Sequence, residues 1–436
     1  MKDFRARSLI LRNVNLVAGG KADIEITDGV ISNISESIHG AIEAIDCKGA
    51  LVIPGLVDLH THLREPGKED AETVLTGSRA AVKGGYTAIS SMANTNPVAD
   101  TAGVVEQIFR LGKAAGLCNV YPIGAVTIGL EGKRLSEMVA MNQSEAKVRI
   151  FSDDGNCVSD PLVMRRALEY VKSFDGLIAQ HAQDPRLTIS AQMNEGIISS
   201  KLGLTGWPSV AEEGIIARDI LLADHVQSRL HICHLTTRGG VEIVRWAKSR
   251  GIQVTAEVTP HHLLLTEELV ESFDPVYKVN PPLRTQSDVE ALREGLADGT
   301  IDIVATDHAP HPSEAKDCEW SAAAFGMLGL ETSLSIVVKA MIETKLINWS
   351  RLTQVMSSNP AKIAGYSGHG VIEIGAPANL CVIDTTRSWQ VDRDTLASKS
   401  RNTPFHGMEL PAPVMHTVFN GVLVVQDGLL TGLFNG

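Results

Sequence analysis

Two kinds of hydrophobic pattern divide the chain. The first 54 residues contain short segments in which apolar and polar residues alternate: SLILRNVNLV, ADIEITDG, VISNISES and AIEAIDCKGALVIPG. Alternation with a period of two is typical of strands that expose one face. The same pattern returns near the C-terminus in GVIEIG, ANLCVID, VMHTVFNG and VLVVQDG. Because a few short strands cannot bury a core alone, we expect residues 1–54 and 366–436 to form one small β-sandwich domain.

The middle of the chain, residues 55–365, alternates apolar runs with segments of helical spacing. The runs are LVIPGLVDLH, GGYTAISSM, CNVYPIGAV, KVRIFSDD, GLIAQH, RLHICH, IQVTAEVTPHH and IDIVATDHAPH. Helical spacing is clearest in ETVLTGSRAAVKG, DPLVMRRALEYVKSF, SVAEEGIIARDILLADHV, GGVEIVRWAKSR and SDVEALREGLADG. Eight such units predict an α/β fold, a (β/α)8 TIM-like barrel. An open doubly wound sheet is the alternative, but no GxGxxG turn follows any run.

Composition and charge narrow the function classes. The chain has 436 residues, with 39 Lys and Arg against 51 Asp and Glu, and a formal net charge of −12. No basic run could follow a phosphate backbone, so we expect no nucleic-acid partner. The apolar runs are shorter than the roughly 20 residues that span a bilayer, and the first residues lack the features of a signal peptide. We therefore expect no membrane association and a cytoplasmic location, which the scattered cysteines also favour.

Histidines gather at the ends of the predicted barrel strands. Nine of the fourteen lie there: His60, His62, His181, His231, His234, His261, His262, His308 and His311. In a barrel, these strand ends form the catalytic face. His60 and His62 are two residues apart, so both side chains point to one face and can reach one metal ion. Surface positions are predicted for the other five, His39, His225, His369, His406 and His416.

Other strands deliver more side chains of the kind that bind metals. In chain order they are Asp153 and Asp154 after VRIF, His181 after GLIAQ, His231 in RLHICH and Asp307 in IVATDH. Four histidines, Asp307 and one of the two neighbouring aspartates exceed the needs of one four-coordinate ion, whereas two divalent ions sharing a carboxylate would use the whole set. Strand alternation puts Asp153 and Asp154 on opposite faces, so only one can be shared. The same argument turns His234 away from His231 and predicts a structural role for His234.

Several motifs resemble those of one enzyme family. They are PGLVDLHTHLREPG, NTNP, FSDDG, EVTPHHL, KVNPPLR, ATDHAPH and GLET, with APANLCVID in the second β-rich part. Together they resemble the class I dihydroorotases of the amidohydrolase superfamily, over nearly the whole barrel and the flanking β-domain. The resemblance implies a zinc-dependent cyclic amide hydrolase. Its reaction would be the reversible cyclisation of N-carbamoyl-L-aspartate to L-dihydroorotate in pyrimidine biosynthesis.

The resemblance also implies roles for individual residues. Two zinc ions, with weak binding of one left open, would be held by His60, His62, Asp154, His181, His231 and Asp307. Asp154 would bridge the ions, with Asp153 as the alternative, and Asp307 would also be the catalytic proton shuttle. The implied substrate contacts are Arg64, Asn94, Asn280, His311 and the backbone of Phe325 and Gly326. Arg64 follows His62 by two residues, where its guanidinium can form paired hydrogen bonds with a carboxylate.

Two other functions stay open on the sequence. Hydantoinases, dihydropyrimidinases and allantoinases usually bridge their metals with a carboxylated Lys at the end of strand four, where this chain has Ser152, Asp153 and Asp154. Lys147 begins that strand, at the opposite end of the barrel. The other alternative is a catalytically silent scaffold for aspartate carbamoyltransferase, which would be expected to lack metal ligands.

One departure from the family pattern follows strand five. Many family members read HCED there, whereas this chain reads HAQD, residues 181–184. His181 is kept, so the change affects only groups around the ligand and would tune metal affinity. As partners we expect a small-molecule substrate and a second copy of the chain in a homodimer. Aspartate carbamoyltransferase stays open as a further partner.

Overall fold

The computed structural model describes residues 8–39 and 43–432. The strands are β1 Leu9–Leu16, β2 Lys21–Thr27, β3 Val30–Ser35, β4 Glu43–Asp46, β5 Leu51–Pro54, β6 Leu56–Thr61, β7 Tyr86–Ser91, β8 Asn119–Pro122, β9 Ile150–Phe151, β10 Leu177–Gln180, β11 Met193–Asn194, β12 Gly206–Trp207, β13 Leu230–Ile232, β14 Val254–Val258, β15 Ile303–Val304, β16 Leu380–Ile383, β17 Ser388–Gln390, β18 Glu409–Pro411, β19 Val414–Phe419, β20 Val422–Gln426 and β21 Leu429–Leu430. The α-helices are α1 Val74–Lys83, α2 Ala102–Ala115, α3 Met138–Gln143, α4 Pro161–Lys172, α5 Ile197–Leu202, α6 Val210–Val226, α7 Arg238–Ser249, α8 Gln286–Asp298, α9 Ser313–Lys316, α10 Ser333–Val337, α11 Trp349–Thr353 and α12 Asn359–Ala364. Two π-helical turns continue α10 and α11, at Val338–Ile342 and Gln354–Ser358.

Strands from both chain ends share one sheet. Nine strands take part, in the order β21-β20-β19-β16-β5-β1-β2-β3, with β4 beside β1. The two ends meet where β16 runs antiparallel to β5 and Val382 lies opposite Val52. Leu11, Ile24 and Leu380 belong to one buried cluster on this sheet. The N-terminal strands therefore bury their apolar face together with strands from the other end of the chain.

The predicted strand GVIEIG does not form. Residues 370–375 are turns and irregular backbone, and Gly370 and Gly375 have φ values of 82° and 91°. Such values leave the β region of the backbone map. The segment still borders the sheet, because Gly375 N–H donates to Ile31 O and Ile31 N–H donates to Ala376 O. The prediction was wrong because it weighed the alternating apolar residues above the flanking glycines.

Eight parallel strands form the other major unit. They lie in two runs, β6-β7-β8 and β9-β10-β13-β14-β15. Isolated parallel bridges join the runs at both ends, Gly124 with Phe151 and Thr61 with His308. Strand pairing thus proceeds from β6 to β15 and returns to β6. Each of the eight predicted apolar runs contributes one of these strands. The first run contains two strands separated by Gly55: β5 belongs to the nine-stranded sheet, and β6 is the first of the parallel strands.

Polar side chains fix where the helices begin. The five predicted helices are present as α1, α4, α6, α7 and α8. The Asp160 carboxylate accepts from the N–H groups of Leu162 and Val163 at the start of α4, and Thr285 forms a capping box with Asp288 at the start of α8. These caps satisfy backbone donors that the helix itself cannot pair. The starts of α4 and α8 are therefore fixed by the side chains of Asp160 and Thr285.

Two further predictions concern single residue types. His369 and His416 were expected at the surface, but both are buried; His369 Nδ1 lies 3.2 Å from Thr87 Oγ1 and Nε2 lies 2.9 Å from Asn119 Nδ2. All six cysteines lie in the described residues and are free thiols.

A helix that spans a membrane must be both long and predominantly apolar. Within residues 8–39 and 43–432, no helix meets both requirements.

Candidate active site

His60, in β6, faces two carboxylates. Its Nε2 lies 3.4 Å from Asp154 Oδ2 and 3.5 Å from Asp307 Oδ1. Its Nδ1 lies 2.6 Å from Glu257 Oε1, an acceptor that places the ring proton on Nδ1 and leaves a lone pair on Nε2. That Nε2 is buried and has no hydrogen-bond partner within residues 8–39 and 43–432. A buried lone pair beside two buried carboxylates is costly unless a cation lies among them, so this donor set fits a divalent metal ion.

His62 faces the same two carboxylates. Its Nε2 lies 3.0 Å from Asp307 Oδ1 and 3.4 Å from Asp154 Oδ2. On the other edge of the ring, Nδ1 lies 2.9 Å from Asn94 Oδ1. His62 therefore donates to Asn94 and presents its free nitrogen to the carboxylates, as the two-residue spacing from His60 predicts. Asn94, expected to contact substrate, here orients a histidine.

Asp154 lies between two pairs of histidines. Its Oδ2 faces His60 and His62, while its Oδ1 is 3.1 Å from His181 Nδ1 and 3.1 Å from His234 Nε2. A carboxylate with one oxygen on each pair has the arrangement needed to bridge two ions. Sequence reasoning chose Asp154 for this position, and the structure brings Asp154 there.

The alternative bridge, Asp153, points elsewhere. Its Oδ1 accepts from the N–H groups of Val126 and Thr127, at 2.8 and 2.9 Å, and its Oδ2 accepts from the Thr127 hydroxyl. Both oxygens therefore hold the loop after β8. The two aspartates face opposite ways, as strand alternation predicts.

The structure reverses the expected placement of His231 and His234. His231 Nε2 lies 3.0 Å from Glu257 Oε2 and Nδ1 lies 2.7 Å from Thr255 Oγ1, so His231 does not join the cluster around Asp154. Strand β13 ends at Ile232, and His234 has a φ of 30°. The expected alternation stops before His234, and the chain turns its imidazole toward Asp154. Extending the strand by two residues caused the error.

Glu257 is a site residue that sequence reasoning missed. Its carboxylate contacts His60 Nδ1, His231 Nε2 and the backbone N–H of His234, the last at 3.2 Å. Glu257 is 1% exposed. Glu257 thus positions the ring of His60 and the peptide N–H of His234. The available signal was an acid within the apolar strand VTAEV, because acids are rarely buried without a partner.

Charges in the cluster favour a cation at its centre. Burial alone would lower the pKa of His60, but Asp154 and Glu257 raise that pKa well above its usual value, so a metal ion at Nε2 would take the place of a proton. Burial would raise the pKa of Asp307, yet the neighbouring His60 and His62 lower the pKa to about 2. The pKa of Asp154 is also lowered, because His60, His181 and His234 outweigh burial. Both carboxylates are therefore ionised at neutral pH.

Arg64 lies beside this cluster and is buried. Its Nε donates to Pro310 O at 3.1 Å, and its Nη2 lies 3.5 Å from His311 Nε2. Burial lowers the pKa of Arg64 to about 10. In the part of the chain that the structure describes, no carboxylate lies within 4.0 Å of its guanidinium. A buried guanidinium without a counter-ion is suited to bind the carboxylate of a ligand.

His311 and Gly326 form the neighbouring wall. His311 Nε2 lies 2.8 Å from Phe325 O, and burial with the charge of Arg64 lowers the pKa of His311 to about 3. Gly326 has a φ of 146°, and a Cβ there would lie 2.8 Å from His311 Nε2. Its N–H donates to Lys278 O at 2.9 Å. Gly326 thus lets His311 approach, while its own N–H is already used.

Two more residues missed from sequence support that wall. The Asn402 carboxamide accepts from His311 N–H at 3.1 Å and donates to Ala309 O and Gly326 O at 2.9 and 3.2 Å. Lys316 Nζ donates to Gly326 O at 3.0 Å, and burial lowers the pKa of Lys316 to about 7. The part of the chain assigned to the β-domain therefore reaches the site. A cavity of about 510 Å³ adjoins it at His311, Lys316 and Asn402.

Asn280 leaves an acceptor open. Its Oδ1 is buried and finds no hydrogen-bond partner among the described residues, while its Nδ2 lies 3.3 Å from Gln183 Oε1. The other histidines at the strand ends are supporting groups: His262 binds Thr259 Oγ1 at 2.7 Å, and His308 Nε2 lies 3.3 Å from Glu72 Oε2. His261 Nε2 is buried, with no hydrogen-bond partner in the part of the chain that the structure describes.

The chain is similar in sequence to known proteins of one family. A family model described as "Dihydro-orotase-like" matches residues 49–240. The dihydroorotase of Streptomyces coelicolor is 61% identical over 97% of this chain and 99% of its own length. That of Mycobacterium tuberculosis is 52% identical over 97% of this chain and 99% of its own.

The fold is also similar to that of solved structures. An L-hydantoinase (dihydropyrimidinase) from Arthrobacter aurescens matches with a TM-score of 0.86 at 25% identity, covering 98% of this chain and 97% of that one. The dihydropyrimidinase from Brevibacillus agri matches with a TM-score of 0.83 at 20% identity, covering 97% and 96%. Both are cyclic amidohydrolases of mixed α/β structure. With its full-length relatives, this shows that the chain belongs to the dihydroorotase family of metal-binding amidohydrolases.

Proposed function

We propose that the enzyme interconverts N-carbamoyl-L-aspartate and L-dihydroorotate, the ring-closing step of pyrimidine biosynthesis, with two zinc ions. The observation that carries the proposal is the position of Asp154, with one oxygen on each pair of histidines. The proposed ligands are His60, His62, Asp154, His181, His234 and Asp307. His234 replaces His231 in this set because it, and not His231, contacts Asp154.

The chemistry that a zinc pair supplies is Lewis acidity, which polarises a carbonyl and lowers the pKa of water to about 7. Asp307 lies 3.0 Å from His62 Nε2 and is ionised at neutral pH. We assign to it the transfer of a proton from the attacking water to the ring nitrogen during hydrolysis. In the closing direction it returns that proton to the departing water. Each direction moves one proton through one carboxylate, as general acid–base catalysis requires.

Arg64 and Asn280 are the proposed substrate contacts with the clearest support. Among the residues that the structure describes, the Arg64 guanidinium has no carboxylate partner, and it is proposed to bind the substrate carboxylate. The open Asn280 Oδ1 is proposed to accept from a ring N–H. Further contacts stay as expected from the sequence, namely Asn94, His311 and the backbone of Phe325 and Gly326.

The larger organisation is part of the proposal. A (β/α)8 barrel over residues 55–365 and a β-sandwich from 1–54 and 366–436 are supported by the ring of parallel pairings and the shared nine-stranded sheet. The homodimer, a complex with aspartate carbamoyltransferase and the cytoplasmic location stay predictions. Sedimentation velocity of the protein alone and mixed with a carbamoyltransferase tests the first two.

A hydantoinase or dihydropyrimidinase activity is the second candidate, because structures of those enzymes share the fold. Their usual bridge is a carboxylated Lys, whereas here Asp154 occupies the bridging place. Lys147 is exposed and donates to Gln143 O at 3.3 Å. The charge at Arg64 also favours a ring that carries a carboxylate over one that lacks it.

One preparation decides between the candidates. Metal content is measured together with turnover of dihydroorotate, hydantoin and allantoin. We expect dihydroorotate alone to be turned over well, with loss on chelation and recovery with zinc. A preparation that prefers hydantoin would support the second candidate, and a fully demetallated protein that still hydrolyses dihydroorotate would exclude the zinc mechanism.

A further inference from the structure

We propose that Gln183 is a positioning residue that fixes both the tautomer of His181 and the orientation of the Asn280 carboxamide. The inference rests on the proposed function, in which His181 binds metal and Asn280 binds substrate. Gln183 stands where the HAQD sequence departs from the HCED of many family members. Its side chain lies between the two groups, so one amide could set both.

The direction of hydrogen bonding around Gln183 is determined from outside the site. The Thr188 hydroxyl donates to Asp184 O at 2.9 Å, so its oxygen is free to accept. Gln183 Nε2 donates to that oxygen at 2.8 Å. Thr188 is buried, with 8% of its surface exposed. The amide nitrogen of Gln183 is therefore held on the Thr188 side, and its oxygen must face the site.

That oxygen is shared by two donors. Gln183 Oε1 accepts from His181 Nε2–H at 2.7 Å and from Asn280 Nδ2–H at 3.3 Å. A carbonyl oxygen has two lone pairs, so it can satisfy both. Since a neutral imidazole carries one proton, His181 Nδ1 is left with its lone pair, 3.1 Å from Asp154 Oδ1. Gln183 thus selects the tautomer that can bind a metal next to the bridging carboxylate.

The same contact orients Asn280. Because Nδ2 is held by Gln183, the Oδ1 atom points the other way, where it is buried without a partner. A flipped carboxamide would present a donor to the pocket and place two oxygens against each other at Gln183. Gln183 therefore ensures that the pocket offers an acceptor at this position, suited to an N–H of a cyclic amide or ureide.

The chemistry of the amide explains a glutamine here. A glutamate could accept from both His181 and Asn280, but could not donate to Thr188 and would add a negative charge beside Asp154. A leucine could neither accept from His181 and Asn280 nor donate to Thr188. The variants Gln183→Glu and Gln183→Leu therefore separate the shared acceptor from simple packing. Thr188→Val removes only the group that holds the amide in its orientation.

The test measures kcat and KM for dihydroorotate, and zinc retained per chain after dialysis against a chelator, in each variant. For Gln183→Leu we expect KM to rise roughly tenfold, as for one lost hydrogen bond, and zinc affinity to fall about 10- to 100-fold. Gln183→Glu should keep KM within about threefold and retain zinc, because a carboxylate can still accept from both His181 and Asn280. Thr188→Val should lie between Gln183→Leu and the wild type. The matched control is Gln192→Leu, in the same segment between β10 and β11. The Gln192 Nε2 atom lies 3.5 Å from Ser190 O.

Each outcome bears on the inference. If Gln183→Leu matches Gln192→Leu in KM and zinc retention, or if Gln183→Glu fails as badly as Gln183→Leu, the shared-acceptor role is wrong. Should Gln183→Leu not fold, Thr188→Val decides, and wild-type values in that variant overturn the inference. Failure of the proposed function looks different: the wild type would bind zinc without turning over dihydroorotate, and zinc retention would still test the His181 contact.

Discussion

His234 Nε2 lies 3.1 Å from Asp154 Oδ1, whereas His231 Nε2 lies 3.0 Å from Glu257 Oε2. Asp154 and Glu257 contact opposite edges of the His60 ring. Two histidines three residues apart thus serve different carboxylates. One carboxylate faces the proposed metal centre, and the other holds the ring of His60 from behind. The pair can be separated by substitution.

Replacing these two histidines should have distinct effects. His234→Ala should lose about one zinc per chain and nearly all turnover, because it removes a proposed ligand. His231→Ala should retain zinc but lower the free energy of unfolding by about 1–3 kcal/mol, since it leaves a Glu257 oxygen without its partner. Elemental analysis and denaturant unfolding measure the two quantities. The reverse pattern would restore His231 as the ligand.

The two neighbouring aspartates provide a second contrast. Asp154→Ala should lose metal from both sites, because each of its oxygens faces one pair of histidines. Asp153→Ala should retain metal and lose stability by about 1–3 kcal/mol, since the N–H groups of Val126 and Thr127 lose their acceptor. Activity of the wild type should not depend on added bicarbonate. A strong bicarbonate requirement would point to a carboxylated lysine instead.

Asp307→Asn should separate metal binding from proton transfer. The amide keeps an oxygen for the metal but cannot accept a proton at working pH. We expect much of the zinc to remain while turnover falls about 10²- to 10⁴-fold, the range typical of a general acid or base. Rates are followed in both directions, because ring opening releases a carboxylate and its proton, so closure is favoured at acid pH. Near wild-type rates would leave Asp307 as a ligand only.

Arg64→Met should change selectivity more than chemistry. Loss of a charged hydrogen bond of about 1.5–3 kcal/mol should raise KM for dihydroorotate roughly 10- to 150-fold. The preference over rings without a carboxylate should weaken in parallel. Arg110→Met, on the exposed surface of α2, is the control for general effects. An unchanged preference would remove Arg64 from the substrate pocket.

Lys316 should contribute a pH dependence to stability. Burial lowers its pKa from 10.5 to about 7 in the folded protein, so between pH 7 and 10.5 the unfolded chain binds more protons than the folded one. The free energy of unfolding then rises with pH across this window. In Lys316→Met this rise should be smaller, as measured by urea unfolding at pH 7 and 9.5. An equal rise in both proteins would mean that Lys316 keeps an ordinary pKa.

Local sequence patterns predicted much of the fold. The apolar runs predicted the eight parallel strands because buried parallel strands read as nearly continuous apolar segments. The segment GVIEIG was wrongly predicted as a strand, because its alternation resembles that of an edge strand. Its two glycines have positive φ values, which a strand does not allow. Helix α2 was not predicted, although Ala102–Ala115 buries Val105 and Ile108.

The site was predicted where side chains keep the direction that strand alternation gives them. His60 lies in β6, and His62 and Asp154 follow the ends of β6 and β9 by one and three residues; the structure brings all three together. His234 follows β13 by two residues, but its backbone, with a φ of 30°, turns its side chain the other way. Asn402 could not be found from a local pattern, because its contacts with His311 and Gly326 depend on how distant parts of the chain pack.

The pairing of β5 with β16 also constrains how the protein can be made. During synthesis, β5 emerges early, but β16, which covers one of its edges, follows all eight parallel strands in the chain. Until then β5 offers unpaired backbone groups and apolar side chains, a template for association with other chains. Long-range pairing of this kind is also slow. A nascent chain stalled before β16 should therefore be far more prone to aggregate than the finished one, and the last strands made are the ones that protect the first.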